Sequence, residues 1–379
     1  MMYFSIPSDF NLDTLEKLDE LNRTSNNKKV IETYGQATRG ILHNSGRDIN
    51  ALPDISMQEL EKYIESSKTK GIDFNYTINP SCFGNLEFTK DGIRKITGLL
   101  KELYQIGVRS LTVTSPSIFE IIHSSGLDFN IKASAICEIA SPNRALFYKD
   151  LGAKRIVIDP DVTRDFRTIR NICRVVGAGC EIIINNVCLK NCGYKMFHYN
   201  HDAHIDSADS SNAITDFYTN RCAMQKASNP ENLIKLNWIR PEDLSKYYDA
   251  GVQYFKIQGR QNVLKGDIIR TLQIYFAEDY DGDLFSLITI FAPYNSFQPY
   301  IENKKLNGYV DRFLKEPCNN ICGECGYCKK FADKAINAIE GNYLNNQAKT
   351  FYKMYDQFGK EIKKDNKTDV ISKLEIGFS

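Results

Sequence analysis

The stretch that decides the fold is Lys154-Arg155-Ile156-Val157-Ile158, a helical pattern over 166–176, and then Glu181-Ile182-Ile183-Ile184-Asn185-Asn186. Both flanking runs are apolar without alternation, the pattern of a strand covered on both faces. Strand, amphipathic helix and strand in this order make a βα repeat of a parallel sheet.

Working outward, the same rhythm recurs. Strands are expected at 3–7, 29–34, 73–78, 109–114, 129–134, 154–158, 181–186 and 253–257, and helices at 12–21, 57–67, 90–106, 144–151 and 166–176. Gly71, Gly107, Gly152 and Gly251 stop helices ahead of the next strand. Eight such repeats imply an α/β fold, a closed parallel (β/α) barrel of the TIM type. Segment 233–239 also reads as a strand, so the count stays open by one.

Two segments break the rhythm. About 65 residues separate the strand at 181–186 from the next, far beyond an ordinary βα loop. This insertion, about 188–235, holds Cys188, Cys192 and Cys222 and three of the five histidines. After about Phe291 the barrel pattern ends. The reading is therefore a barrel over 1–290 that carries a Cys/His-rich insertion, and a small cysteine-rich metal-binding region over 291–379.

The 379 residues are 42% hydrophobic and 25% charged, ordinary for a globular protein. Lys+Arg number 48 against 47 Asp+Glu, so the net charge of +1 supplies no general pull toward nucleic acid. Met1-Met2-Tyr3-Phe4-Ser5 lacks the basic and apolar regions of a signal peptide, and no apolar run approaches the ~20 residues of a membrane span. The expected location is cytoplasmic. Thiols stay reduced there, so eleven cysteines point to metal rather than disulfides.

Cys188, Cys192 and Cys222 form the first cysteine group. Cys188 follows a strand on the face where barrel enzymes place their chemistry. All-thiolate ligation suits zinc or an iron–sulfur cluster, and a cubane needs four ligands. Cys82, after the third strand in Asn79-Pro80-Ser81-Cys82, is the expected fourth, with Cys137 as the alternative. Cys173 and Cys180 read as buried structural thiols.

The second group is Cys318-x3-Cys322-x2-Cys325-x2-Cys328, with Gly323 and Gly326 allowing tight turns. It reads as a second iron–sulfur cluster or a zinc site. Its first three spacings match the radical-SAM triplet, but that triplet opens a barrel, and here only about 50 residues follow. Cys328 would also fill the open iron position. His198, His201 and His204 sit at i, i+3 and i+6 and read equally as ligands or proton carriers and as exposed loop residues.

Cys188–Cys192, Cys222, Trp238-Ile-Arg-Pro-Glu-Asp-Leu244 and Phe255-Lys-Ile-Gln-Gly-Arg260 together resemble the collagenase-like peptidase family U32. The last run is similar to that family's Lys-Ile-Glu-Gly-Arg signature, with Gln258 in place of Glu. The resemblance spans about 3–277 and implies a barrel carrying a thiolate-bound 4Fe–4S cluster. Relatives act in anaerobic ubiquinone hydroxylation and in hydroxylation of transfer and ribosomal RNA, several with prephenate as oxygen source. This chain departs from the family in a tighter Cys188–Cys192 pair and in having no cysteine in the stretch that follows Trp238 directly.

What the resemblance implies for function is an oxygen-independent hydroxylase or related redox enzyme acting on a small molecule, RNA or peptide. Peptidase and non-catalytic iron–sulfur partner subunit are the alternatives. No Gly-x-Ser-x-Gly or His-Glu-x-x-His motif favours peptide hydrolysis. Lys256 and Arg260 are the expected cations at the barrel mouth, where Arg260 either clamps a carboxylate or ties the last strand to a neighbouring acid. Glu32 and Tyr34, ending the second strand, are expected to line the same cavity.

Overall fold

In chain order the strands are β1 (Met2–Pro7), β2 (Lys28–Gly35), β3 (Asp73–Ile78), β4 (Ser110–Val113), β5 (Asn130–Ala133), β6 (Ala153–Val157), β7 (Cys180–Ile183), β8 (Asn185–Leu189), β9 (Leu236–Trp238) and β10 (Tyr254–Lys256). β1 to β7 follow one another around a closed parallel barrel, and β10 closes it between β7 and β1. Every barrel strand overlaps one expected segment. The computed structural model describes residues 1–38, 47, 51–204, 217–294 and 299–337, with scattered positions between 346 and 360.

The helices packed outside carry their own start signals. Ser56 and Glu59 form a capping box on Met57–Thr69, and Thr89 caps Lys90–Gln105. The second of these buries Ile96, Leu99, Leu100 and Leu103, one stripe against the sheet. Gly107 and Gly152 adopt φ +91° and +94°, a conformation that L side chains resist, and turn the chain from helix into strand.

One expected strand is really two. The segment at 181–186 leaves the barrel after Ile183, and β8 pairs instead with β9 in an antiparallel ribbon outside it. Hydrogen bonding forces the exit. Ile184 N–H still donates to the Lys256 carbonyl at 2.9 Å, but the Ile184 carbonyl accepts from Ile239 N–H at 2.7 Å. The Asn185 amide then donates to the carbonyls of Gln258 (2.9 Å) and Ile288 (3.0 Å). Cys188 therefore lies in an outlying ribbon rather than directly after a barrel strand. The possible strand at 233–239 is β9, the partner in that ribbon.

The barrel interior is polar toward the N-terminal ends of β6 and β7. Lys132 pairs with Glu32 and, at 2.8 Å, with Glu181. Arg155 reaches Glu32 at 3.1 Å and Glu181 at 3.4 Å. Two cations and two anions thus balance inside the barrel. Ser5 donates to Glu32 at 2.6 Å, and Asn75, itself held by Thr112, donates to it at 3.3 Å.

Residues 299–337 share the hydrophobic core with the rest of the chain through Ile301, Leu306, Tyr309, Phe313 and Phe331. Tyr309 packs on Trp238 with ring centres 5.4 Å apart and on Phe331 at 5.1 Å. Short β-bridges join Asp283 to Glu302 and Ile301 to Ile336. Among the described residues, no helix is long and apolar enough to cross a membrane.

Candidate functional site

A cavity of about 60 Å³ opens at the C-terminal end of the barrel, lined in part by Tyr34, Asn79, Ser134, Lys256 and Arg260. Register places Lys256 of β10 between Ser5 of β1 and Ile183 of β7. Its ammonium lies over the Tyr34 ring, 3.9 Å from the ring centre. Burial drives the Lys256 pKa down to about 7, Lys132 adds to the fall, and Glu181 and Glu32 resist it.

Arg260 is buried and bound by neutral groups alone. Its Nη1 donates to Gln36 Oε1 at 2.8 Å and to Thr77 Oγ1 at 2.6 Å, and Nη2 lies 3.5 Å from Asn79 Oδ1. Among the described residues no carboxylate pairs with it, so it does not tie β10 to an acid. Burial and the neighbouring Arg47 bring its pKa down to about 10. Two buried cations at one cavity, neither neutralised, favour an anionic occupant.

Glu32 does not belong to this cavity. Its carboxylate is taken up by Lys132, Arg155, Ser5 and Asn75 deeper in the barrel. Burial alone would raise its pKa, but Lys132 and Arg155 overcome that and hold it at about 2. Tyr34 does line the mouth, its hydroxyl donating to the Ile257 carbonyl at 2.9 Å.

Arg47 and Tyr199, also at the mouth, connect it to the first cysteine group. Cys188 feels Cys222, Lys226, Arg47 and Cys192, and Cys192 in turn feels Cys222 and Lys226. The insertion therefore brings its three cysteines into one electrostatic neighbourhood. Burial pushes the Cys188 thiol up to about 11, with Cys222 adding to the rise. Lys226, 1% exposed, points into this group from the helix Phe217–Ser228. It donates to the Tyr294 hydroxyl, and among the described residues no carboxylate faces it. Burial works against its charge, yet Cys222 and Tyr294 keep its pKa above the usual lysine range.

The residues fit a thiolate-bound cluster in their donor chemistry: three thiols around a buried ammonium that no described carboxylate pairs. No three Cys, His, Asp or Glu side chains among the described residues are gathered as ligands of a single ion. Cys82 is half-buried beside the insertion helix Lys195–His204. Its sulfur accepts from Gly84 N–H at 3.3 Å, and Ser81 donates to Asn200 at 2.6 Å. Cys137 is 2% exposed, its thiol turned to the Thr114 carbonyl at 3.4 Å, and burial pushes it up to about 12. The Cys137 thiol is thus engaged by the barrel backbone. Cys173 and Cys180 are buried, as the sequence suggested, and their sulfurs lie 2.8 Å apart.

His198 and His201 flank Tyr218 at 5.9 and 5.6 Å, and His198 Nε2 lies 3.4 Å from Asp202. Burial lowers the His198 pKa. His204 lies against Gly84 instead.

Residues 49–276 match the sequence pattern of peptidase family U32. The chain belongs to that family. An uncharacterized protease of Methanocaldococcus jannaschii is 31% identical over 338 residues, covering 89% of this chain and 99% of the relative. A solved U32 peptidase shares 16% identity over 68% of this chain and 94% of its own, with a TM-score of 0.49. Within this U32 chain, Lys226, Arg47 and Tyr199 escaped the reading of the sequence. Only Lys226 carried a signal, since its i, i+4 spacing from Cys222 puts both on one helix face.

Proposed function

We propose that this U32 chain is an iron–sulfur enzyme catalysing oxygen-independent hydroxylation, or a related redox modification, of a small molecule, RNA or peptide. Cys188, Cys192 and Cys222 would hold a 4Fe–4S cluster, with Cys82 as fourth ligand. The observation that carries this reading is the Lys226 ammonium, buried beside Cys188 and Cys222 without a carboxylate partner. A buried ammonium without an acidic partner is costly, and an anionic cluster with its thiolates would offset that cost. When bound, such a cluster supplies one-electron chemistry.

The remaining groups give the barrel mouth its role. Arg260, held flat by Gln36 and Thr77, presents its guanidinium to an oxyanion, and Lys256 presents a second positive site. A dicarboxylate oxygen donor such as prephenate fits this pair. With a pKa near 7, Lys256 can hold or release a proton at Nζ beside the bound donor. For peptide hydrolysis the site would offer a poor nucleophile, because a thiolate held as a cluster ligand attacks poorly.

Anaerobic purification tests the reading. The protein should be brown and contain iron with acid-labile sulfide. Lys226→Met should lose much of that iron, and Lys226→Arg should keep it. A colourless protein with stoichiometric zinc, or full iron in Lys226→Met, would count against it.

A further inference from the structure

Beyond the barrel thiols lies a cavity of about 500 Å³, whose wall includes Cys192 on one side and Cys318, Cys322 and Cys328 on another. The four tail cysteines also line a smaller cavity of about 30 Å³ of their own. No layer of protein therefore separates Cys192 from the tail group. We infer that the tail cysteines Cys318, Cys322, Cys325 and Cys328 hold a second iron–sulfur centre, facing the barrel thiols across this shared cavity and serving as their electron relay. The inference rests on the barrel cluster proposed above.

Arg164 gives the independent argument. It is 3% exposed, and its guanidinium donates to the Ile234 and Leu236 carbonyls at 3.1 and 2.6 Å. It lies beside the stacked pair of Trp238 and Tyr309, 5.0 and 5.2 Å from their ring centres. Among the described residues no carboxylate pairs with it, and the Cys328 sulfur feels its charge. The arrangement repeats that of Lys226: a buried cation set beside thiols and left unneutralised by acids. Each cysteine group thus has its own counter-charge for an anionic centre.

The loop can close around such a centre. Gly323 and Gly326 have open space where a Cβ would sit, and Gly326 already has φ +61°. Drawing in four sulfurs from so short a loop costs little closure entropy. Cys322 and Cys325 are exposed, so an external donor has access to this end.

The relay step moves one electron and makes or breaks no bond. A one-electron reductant, for which dithionite stands in, reduces the tail centre. The tail centre is reoxidised as the barrel centre gains the electron.

The experiment compares anaerobically reconstituted full-length protein with Cys322→Ser/Cys325→Ser and with Cys188→Ser, by iron per chain and by electron paramagnetic resonance after dithionite. The wild type should hold about eight irons, and each variant about half as many. Reduced wild type should show a spectrum broadened by coupling between two nearby spins, and each variant an uncoupled one. Unchanged iron in the tail variant overturns the inference. So does complete iron loss in a tail variant that stays folded by circular dichroism, since the tail thiols would then belong to the barrel cluster. Two iron shares without spin coupling overturn the relay. Full iron in Cys188→Ser sinks the barrel reading instead, while iron loss in the tail variant still supports a tail centre. Should the double variant misfold, Cys325→Ser alone decides the tail, its side chain lying at the surface.

Discussion

Lys256 Nζ rests 3.9 Å from the centre of the Tyr34 ring, and among the described residues no carboxylate lies within ion-pair distance of it. A ring face returns only about 0.5–2 kcal/mol to a cation, too little to offset full burial. The balanced quartet of Glu32, Glu181, Lys132 and Arg155 beneath leaves no spare negative charge to it.

Stability should therefore rise with pH through this residue. Its folded pKa of about 7 lies below the unfolded value near 10.4, so the unfolded chain binds the extra proton between them. The penalty is complete below pH 7 and fades as pH climbs toward 10. Lys256→Met should gain about 4 kcal/mol at pH 6 and much less at pH 9. Urea unfolding of both proteins at the two pH values checks this, and equal gains would refute it.

Binding of an anionic donor should take up a proton. At pH 8 Lys256 is mostly neutral, and a carboxylate seated against it raises its pKa. Titration calorimetry with prephenate, in buffers of different ionisation heat, should show uptake approaching one proton per site. Lys256→Met should abolish the uptake. Arg260→Gln should weaken binding roughly tenfold or more, the worth of a charge-assisted hydrogen bond. Uptake that persists in Lys256→Met would assign the proton elsewhere.

Glu32→Gln should be destabilising rather than selectively inactivating. It strands Lys132 and Arg155 against Glu181 alone, and breaking a buried pair costs about 3–5 kcal/mol. The wild-type carboxyl, held at about 2, contributes stability that is present above the unfolded value near 4.3 and lost as pH falls toward 2. Denaturation midpoints at pH 7 and pH 3 measure both effects. A variant as stable as wild type but inactive would return Glu32 to the chemistry.

Cys137→Ala should keep its iron, because the Cys137 thiol is turned to the Thr114 carbonyl, and should cost about 1–2 kcal/mol through the small cavity left behind. Cys82→Ala and Cys188→Ala should each lose the barrel share. Iron lost from a folded Cys137→Ala, and kept in Cys82→Ala, would exchange the two assignments.

The barrel was legible because its strands are covered on both faces, so unbroken apolar runs such as Ile182-Ile183-Ile184 announce them. The place where β7 ends was not. Ile183 and Ile184 are chemically alike, and only the distant pairing of Ile184 with Ile239 moves the chain out of the barrel. The cysteine groups showed in their spacing. Their counter-charges did not, since Arg164 and Lys226 look like ordinary surface cations until the fold buries them. Glu32 misled for a related reason. A strand residue two positions from Tyr34 shares its side of the sheet, but depth along the barrel axis decides which cavity it meets.

The stack of Trp238 on Tyr309 has a consequence for heredity. Trp238 belongs to the ribbon that carries Cys188, and Tyr309 to the segment that carries the last four cysteines. Each ring covers part of the other. A descendant that discarded the tail would bare an indole and weaken the ribbon holding Cys188. A barrel that acquired the tail alone would have nowhere to seat it. Insertion and tail should thus be gained, lost and transplanted together, and a chimaera that moves both between U32 barrels should fold where one that moves either alone does not.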